Sequence, residues 1–128
     1  DGRPGVISAR YAGEPCDDEA NNDKVLIEMA DVPDAKRGCR FRCVLALVGE
    51  MQRETFSGVC EGTLLHERRG SGGFGYDPLF LPNESSCTFA EISPEEKAGI
   101  SHRTRALAKL VSFLGQGLLP NKRGKSSL

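Results

Sequence analysis

The feature that most constrains the fold is an alternating segment at residues 40–48, which leads through a turn at residues 49–50 into a second segment of strand character. Apolar residues occupy every second position: Phe41, Cys43, Leu45 and Leu47 alternate with Arg40, Arg42, Val44 and Ala46. A period of two is typical of a strand with one buried face. Residues 53–67 repeat the strand pattern but contain Gly58 and Gly62, where a bulge or a closely approaching backbone is the usual cause. The sequence therefore predicts a long antiparallel hairpin.

Helical signals lie on both sides of the hairpin. Residues 19–30 carry apolar side chains at helical spacing and Pro33 follows, which predicts a short helix. In the segment 93–96 a serine N-cap precedes a proline and a glutamate at the third helical position, a capping box that predicts a helix start. Gly99 weakens this helix and Ser101 can cap a new one. Four apolar residues then follow at i, i+3, i+4 and i+7, which predicts a face packed on the sheet: Leu107, Leu110, Val111 and Leu114.

The order of the elements indicates the fold class. Short strands are predicted at residues 79–81 and 88–92, so strands and helices do not alternate regularly. This order favours the α/β class with α+β character, a mixed β-sheet flanked by helices. A chain of 128 residues has enough apolar material for one core, so a single domain over residues 1–119 is expected. Residues 120–128 are small, polar and basic, and a disordered tail is predicted there.

Composition argues against several function classes. The formal net charge of −1 provides no long-range attraction for polyanions, so bulk nucleic-acid binding is disfavoured. The five cysteines contain no C-x-x-C pair, and reduced thiols are expected rather than a disulfide framework or a zinc site. No segment has the length and apolarity of a membrane-spanning helix or a signal-peptide core, so a cytoplasmic location without a membrane partner is expected.

The segment 69–78 is the first candidate for chemistry. Phe74 and Tyr76 are separated by Gly75 and followed by Asp77, so the aromatic rings could sandwich a planar base. A carboxylate only accepts hydrogen bonds, which suits the N1–H of a 6-oxopurine and does not suit the bare N1 of adenine. The alternative is a hairpin loop with two core aromatics and an Asp-Pro turn, and composition alone favours that alternative.

The second candidate is the cationic region around the predicted helix starts. Lys97 near a helix N-terminus suits a phosphate, and Arg103 suits a purine O6 or a phosphate. A solvated helix charge for Lys97, a surface salt bridge for Arg103 and a packing role for His102 are the alternatives, and each is favoured when the residue is taken alone.

Taken together, three segments resemble the inosine triphosphate pyrophosphatase family, also called the Ham1-like or dITP/XTP pyrophosphatases. They are residues 1–12 with the Gly-Arg-Pro-Gly turn, residues 70–80 with Phe-Gly-Tyr-Asp-Pro, and residues 88–91 followed by Glu96-Lys97 and Ser101-His102-Arg103. The segments stand in family order with family-like spacing, and the resemblance extends to about residue 114.

The resemblance implies an elongated, mixed, Ham1/Maf-like sheet, a homodimer, Mg²⁺, and hydrolysis of dITP, ITP or XTP to a monophosphate and pyrophosphate. It also implies substrate-binding roles for Phe74, Gly75, Tyr76, Asp77, Lys97, Ser101, His102 and Arg103. In the family the phosphate loop, the metal-binding glutamate and the proton-accepting aspartate precede the Gly-Arg-Pro-Gly turn. The chain therefore resembles the C-terminal part of the family pattern, and neither a catalytic nor a metal residue is expected in it. Asp1 is not taken as catalytic, because it lies in the turn itself, and these 128 residues alone are expected to be inactive.

Two interpretations from other classes stay open at this point. The chain could be a nucleotide-binding or dimerisation module without catalysis, because a base pocket alone supplies affinity and no metal site. It could also stack single-stranded nucleic acid on Phe74 and Tyr76, although the basic groove that such proteins need is missing from the sequence.

Overall fold

The computed structural model describes residues 2–50 and 52–118. The main elements, in chain order, are α1 (Asp18–Glu28), β1 (Gly38–Val48), β2 (Arg53–Leu64), β3 (Phe80–Pro82), α2 (Pro94–Ile100) and α3 (His102–Leu118). Short 3-10 helices occupy Gly5–Arg10, Asp34–Lys36 and Asp77–Leu79. No helix in the described part of the chain is long and apolar enough to cross a membrane.

The predicted hairpin is confirmed, and its strands are two of the three strands in the described sheet. The strand order is β1-β2-β3, and β2 pairs antiparallel with β3, Gly62 lying opposite Pro82 and Leu64 opposite Phe80. Only residues 49–52 connect β1 to β2, which is too short for the crossover that parallel strands require. The described strands therefore form an antiparallel sheet, and the α+β character is confirmed. The mixed pairing predicted from the element order is not found among these strands.

The chain separates into two compact units. One contains residues 2–39 and 61–93, and the other contains residues 40–60 and 94–118 as far as they are described. β1 and β2 contribute residues to both units. The single domain expected over residues 1–119 stays a prediction, and the disordered tail predicted at residues 120–128 lies outside the described residues.

The first unit has its core where α1 meets the segment before β3. Tyr11, Val25 and Leu79 are buried together, and Leu26, Met29, Leu64 and Tyr76 pack against them. The short helix predicted at residues 19–30 is confirmed as α1, with the Asp17 side chain accepting a hydrogen bond from the Ala20 N–H at 3.2 Å. This cap satisfies one of the N–H groups that a helix start leaves unpaired.

A buried arginine, Arg37, links α1 to β2 within the first unit. Arg37 is 1% exposed and donates to four main-chain carbonyls: Leu64 O at 2.8 Å, Met29 O at 2.5 Å, Val32 O at 3.2 Å and Leu65 O at 2.9 Å. Met29 follows the last turn of α1, where helix carbonyls lack internal partners and a cation is favourable. The guanidinium thus connects the end of α1 to the end of β2.

The second unit depends on a close approach between β2 and α3. A Cβ at Gly58 would lie 2.0 Å from His102 O and 2.3 Å from Ala106 N, so only glycine fits. In the first unit, a Cβ at Gly62 would lie 2.5 Å from Leu81 O. The predicted reason for these two glycines, close backbone approach, is confirmed at both positions.

Two sequence predictions are wrong. Residues 88–92 form a turn rather than a strand, because the Thr88 carbonyl accepts hydrogen bonds from both Glu91 N and Ile92 N. The α3 stripe predicted to pack on the sheet is largely exposed, at 51% for Leu107, 58% for Val111 and 42% for Leu114. α3 instead presents Ala106, which is fully buried, and Phe113, which packs against Phe56 at 5.4 Å. The backbone of α3 lies so close to β2 at Gly58 that the strand has no room for a side chain there.

Candidate nucleotide-binding site

The loop that contains Phe74 and Asp77 is closed by its own hydrogen bonds. Asp77 Oδ2 accepts from the Phe74 N–H at 3.0 Å, and the Asp77 N–H donates to Phe74 O at 3.1 Å. Gly73 has φ +69°, and a Cβ there would lie 2.1 Å from Asp77 Oδ2, so the turn needs glycine. Asp77 itself is 3% exposed. The carboxylate predicted to read the base therefore also folds the turn that carries the aromatic residues.

The two aromatic residues have different environments. Phe74 is 55% exposed, whereas Tyr76 is half-buried against the Tyr11–Val25–Leu79 core. The Tyr76 hydroxyl donates to Ser8 O at 2.5 Å. Burial, and after it the charges of Tyr11 and Asp18, raise the pKa of Tyr76 to about 12, so the hydroxyl stays a hydrogen-bond donor at neutral pH. Tyr76 anchors the loop and Phe74 exposes its ring; a sandwich by both rings stays a prediction.

The N-terminal part of α1 holds the peptide groups of Gly75. Asp18 Oδ2 accepts from the Gly75 N–H at 2.9 Å, and Asn22 Nδ2 donates to Gly75 O at 3.1 Å. Sequence reasoning missed both residues as part of the site. One signal was available: Asn21 and Asn22 are adjacent polar residues within a helix, where asparagine is intrinsically unfavourable, and both prove to be buried.

The neighbouring side chains of α1 hold the segment before it. Asn21 accepts from the Ala12 N–H at 2.7 Å and donates to Ala9 O at 2.8 Å, so one amide bonds both ends of a short main-chain stretch. Lys24 donates to Tyr11 O at 2.9 Å and lies 4.2 Å from the centre of the Tyr11 ring. Tyr11 also donates to Glu28, and this hydrogen bond raises the pKa of Tyr11. α1 therefore connects residues 9–12 to the loop.

The other end of the loop is fixed by a carboxylate and a guanidinium. Glu91 accepts from the Thr88 N–H at 2.8 Å and from Arg69 at 2.9 Å. The Thr88 N–H, with Arg69 as the lesser cause, holds the pKa of the Glu91 carboxyl below its ordinary value. Gly72 N donates to Ala90 O at 3.0 Å, and a Cβ at Gly70 would lie 2.8 Å from the Ala90 carbonyl carbon. The glycines before Phe74 therefore pack directly against the turn at residues 88–91.

The remaining predicted site residues belong to the second unit. Ser101 is 6% exposed, and its Oγ accepts from the Thr104 N–H at 3.1 Å, which confirms the predicted new helix cap. His102 begins α3 and stacks on Phe41, with ring centroids 5.0 Å apart. Arg103 is exposed, and Lys97 is half-buried within α2. The structure thus groups the residues in two sets, Phe74–Asp77 in one unit and Lys97 with residues 101–103 in the other.

No metal-binding cluster is found in the part of the chain that the structure covers, residues 2–50 and 52–118. Within it, no group of three or more His, Cys, Asp or Glu side chains could hold a metal ion. No two cysteines among the described residues form a disulfide.

Solved structures of Ham1 proteins resemble this chain closely. The Staphylococcus aureus Ham1 protein superposes with a TM-score of 0.86 at 40% identity, over 90% of this chain and 59% of that chain. A protein from Mycobacterium abscessus, named nucleoside-triphosphatase / dITP/XTP pyrophosphatase, superposes with a TM-score of 0.76 at 42% identity, over 88% of this chain and 58% of that chain.

Sequence comparison gives the same result. A dITP/XTP pyrophosphatase of Oceanobacillus iheyensis is 50% identical over 115 residues, which cover 89% of this chain and 58% of the relative. One from Geobacter sulfurreducens is 52% identical over 120 residues, covering 92% of this chain and 60% of the relative. The chain thus spans about three fifths of the length of these relatives. The family model described as the Ham1 family matches residues 1–113, and the chain belongs to the Ham1 family.

Proposed function

We propose that the protein serves in the hydrolysis of deaminated purine nucleoside triphosphates, dITP, ITP or XTP, to the nucleoside monophosphate and pyrophosphate. The observation that carries the proposal is the glycine turn at Phe74, whose side chain is 55% exposed. The residues that follow it, Gly75, Tyr76 and Asp77, are held by hydrogen bonds. An exposed aromatic face on a fixed loop suits stacking on a planar base, worth roughly 1–3 kcal/mol. Family membership and the names of the relatives support the same substrate class.

The proposed substrate contacts follow from the chemistry of each side chain. Phe74, carried by Gly75 and Tyr76, stacks on the base, and Asp77 favours a ring N–H over the bare N1 of adenine. Lys97 contacts phosphate, and Ser101, His102 and Arg103 contribute further substrate contacts, Arg103 through donors that suit O6. No catalytic residue is assigned among the described residues.

Base selection is tested by Asp77→Asn. The asparagine oxygen can still accept from the Phe74 N–H, which preserves the turn, and its NH₂ group then stands where a second carboxylate oxygen was. Because a donor replaces an acceptor, the preference for ITP over ATP should fall more than about tenfold, or about 1.4 kcal/mol. The affinities of the wild-type chain and the variant for ITP and for ATP measure this preference, and circular dichroism checks that the fold is kept. Unchanged selectivity would reduce Asp77 to a turn residue.

Three further features belong to the proposal. Dependence on Mg²⁺ is expected from the family resemblance, but the described residues hold no group of ligands that fits a metal, so no chemical step is assigned to it. A homodimer is supported by the exposed apolar residues of α3, Leu107, Val111 and Leu114, because their helical spacing places them on one face that a second copy could cover. A cytoplasmic location is consistent with the free thiols. Chelation during the activity assay tests the dependence on Mg²⁺. Sedimentation of the purified protein tests the homodimer, and cell fractionation tests the cytoplasmic location.

A further inference from the structure

We infer that Asp18 and Asn22 of α1 are positioning residues for the base-binding loop: together they hold the Gly75 peptide groups and thereby fix the ring of Phe74. This inference rests on the proposed function for its ligand, but the loop contacts are independent of it. Neither residue belongs to the set predicted to touch substrate. The residues act through Gly75, which is 57 positions from Asp18 and 53 from Asn22 along the chain.

Both polar groups of Gly75 are held, one by each side chain. The Gly75 N–H donates to Asp18 Oδ2 at 2.9 Å, and Gly75 O accepts from Asn22 Nδ2 at 3.1 Å. Asp18 and Asn22 are four residues apart in α1, so they lie on one face of the helix. Gly75 has φ +60°, and a Cβ there would meet no atom within 4 Å, so no neighbouring group packs against the position of a side chain. A glycine without such hydrogen bonds would have wide conformational freedom.

The Asn22 side chain contains a buried polar atom that lowers stability, which a packing role does not explain. It is 1% exposed, and its Oδ1 is buried without a hydrogen-bond partner among the described residues. A buried acceptor left without a hydrogen bond destabilises a fold. Asn22 thus contributes one donor to Gly75 while its other polar atom costs stability. This combination is expected of a residue whose role is to hold the loop rather than to stabilise the fold.

The test uses Asp18→Ala, Asp18→Asn and Asn22→Leu in the whole chain, with Asp17→Ala as the matched control. Asp17 lies at the same helix end and carries the same charge, but its contact is the cap to Ala20 N and not the loop. The first readout needs no ligand: amide hydrogen exchange of the segment 70–78. We expect exchange there to accelerate at least about tenfold in Asp18→Ala and Asn22→Leu, and to stay near wild type in Asp18→Asn, which keeps an acceptor oxygen.

Stability separates positioning from a merely structural role. Asn22→Leu should leave the Tm near that of wild type while the loop loosens, because removal of the unpaired Oδ1 offsets the loss of the hydrogen bond to Gly75 O. Asp17→Ala should instead lower the Tm while loop exchange stays near wild type. The second readout is the Kd for inosine monophosphate, which should rise about fivefold or more in Asp18→Ala and Asn22→Leu and stay unchanged in Asp18→Asn and Asp17→Ala.

Unchanged loop exchange in both Asp18→Ala and Asn22→Leu would overturn the inference, as would faster exchange with an unchanged Kd. If the wild-type protein itself does not bind inosine monophosphate, the proposed function fails. The exchange measurement then still decides whether α1 holds the loop.

Discussion

Replacing Gly58 with alanine tests the contact that places α3. The new methyl group would lie 2.0 Å from His102 O and 2.3 Å from Ala106 N. An ordinary van der Waals contact begins near 3.4 Å, so β2 and α3 would have to separate by roughly 1.4 Å at His102. Both obstructing atoms belong to the backbone of a helix, which cannot rotate away as a flexible side chain can.

The magnitude follows from this displacement. Overpacking of a tight contact costs about 1–3 kcal/mol, and the upper end applies because the helix must move as a body. At roughly 3–5 °C per kcal/mol for a chain of this size, the Tm should fall by about 10 °C or more. His102 and Arg103 lie in the first turn of α3, so the substrate contacts proposed for them should also weaken, by up to about 100-fold for a shift near 1 Å.

Thermal unfolding followed by circular dichroism, together with nucleotide binding, measures both effects. Gly38→Ala is the matched control, because Gly38 lies in β1, has an ordinary φ, and a Cβ there would meet no atom within 4 Å. Alanine at this position should leave stability unchanged or raise it by about 0.4–1 kcal/mol. If Gly58→Ala and Gly38→Ala unfolded at the same temperature as wild type, the close approach of β2 and α3 would be refuted.

Three further predictions concern single contacts. Arg37→Met should lower the free energy of unfolding by about 3 kcal/mol in urea titration, because four main-chain carbonyls lose their donor. Relief of guanidinium desolvation offsets only part of this loss, and a loss below about 1 kcal/mol would contradict the prediction. The pKa of Glu91 is lowered in the folded state, so its contribution to stability is present above the ordinary value of 4.5 and is lost as the pH falls through the lowered value. Glu91→Gln should therefore flatten the stability profile in that acidic range only, and an unchanged profile would contradict the assignment. Lys97→Ala should weaken ITP binding while leaving the ranking of bases nearly intact; equal losses for inosine monophosphate and ITP would exclude a contact to the distal phosphates.

Local signals in the sequence were sufficient for most of the elements. The hairpin follows from alternation within residues 40–48 and from a connection too short for a crossover. The caps depend on a side chain and an N–H three residues away, as at Ser101 and Thr104. Gly58 and Gly62 indicated close backbone approach because glycine within a strand is otherwise unfavourable, although the sequence did not show which backbone approaches.

Patterns that depend on a partner were less informative. The stripe at Leu107, Val111 and Leu114 has the period of a buried helix face, but period alone does not show which surface a helix meets. The segment 88–92 has strand-forming residues, yet two hydrogen bonds to the Thr88 carbonyl and one from its N–H to Glu91 close it as a turn. Local turn hydrogen bonds therefore outweighed the strand propensity of this short segment, which is context-dependent.

For the candidate site, the sequence alone determined which residue types stand in the loop and that they resemble a purine-binding motif. Only the tertiary structure decided how those residues are used: Tyr76 is an anchor to Ser8, Asp77 closes the turn, and Phe74 exposes its ring. It also brought Asp18 and Asn22 to Gly75 across more than fifty residues of sequence. The physical reason is that caps and alternation arise from neighbours along the chain, whereas loop conformation depends on donors and acceptors that only the folded backbone brings within about 3 Å of one another.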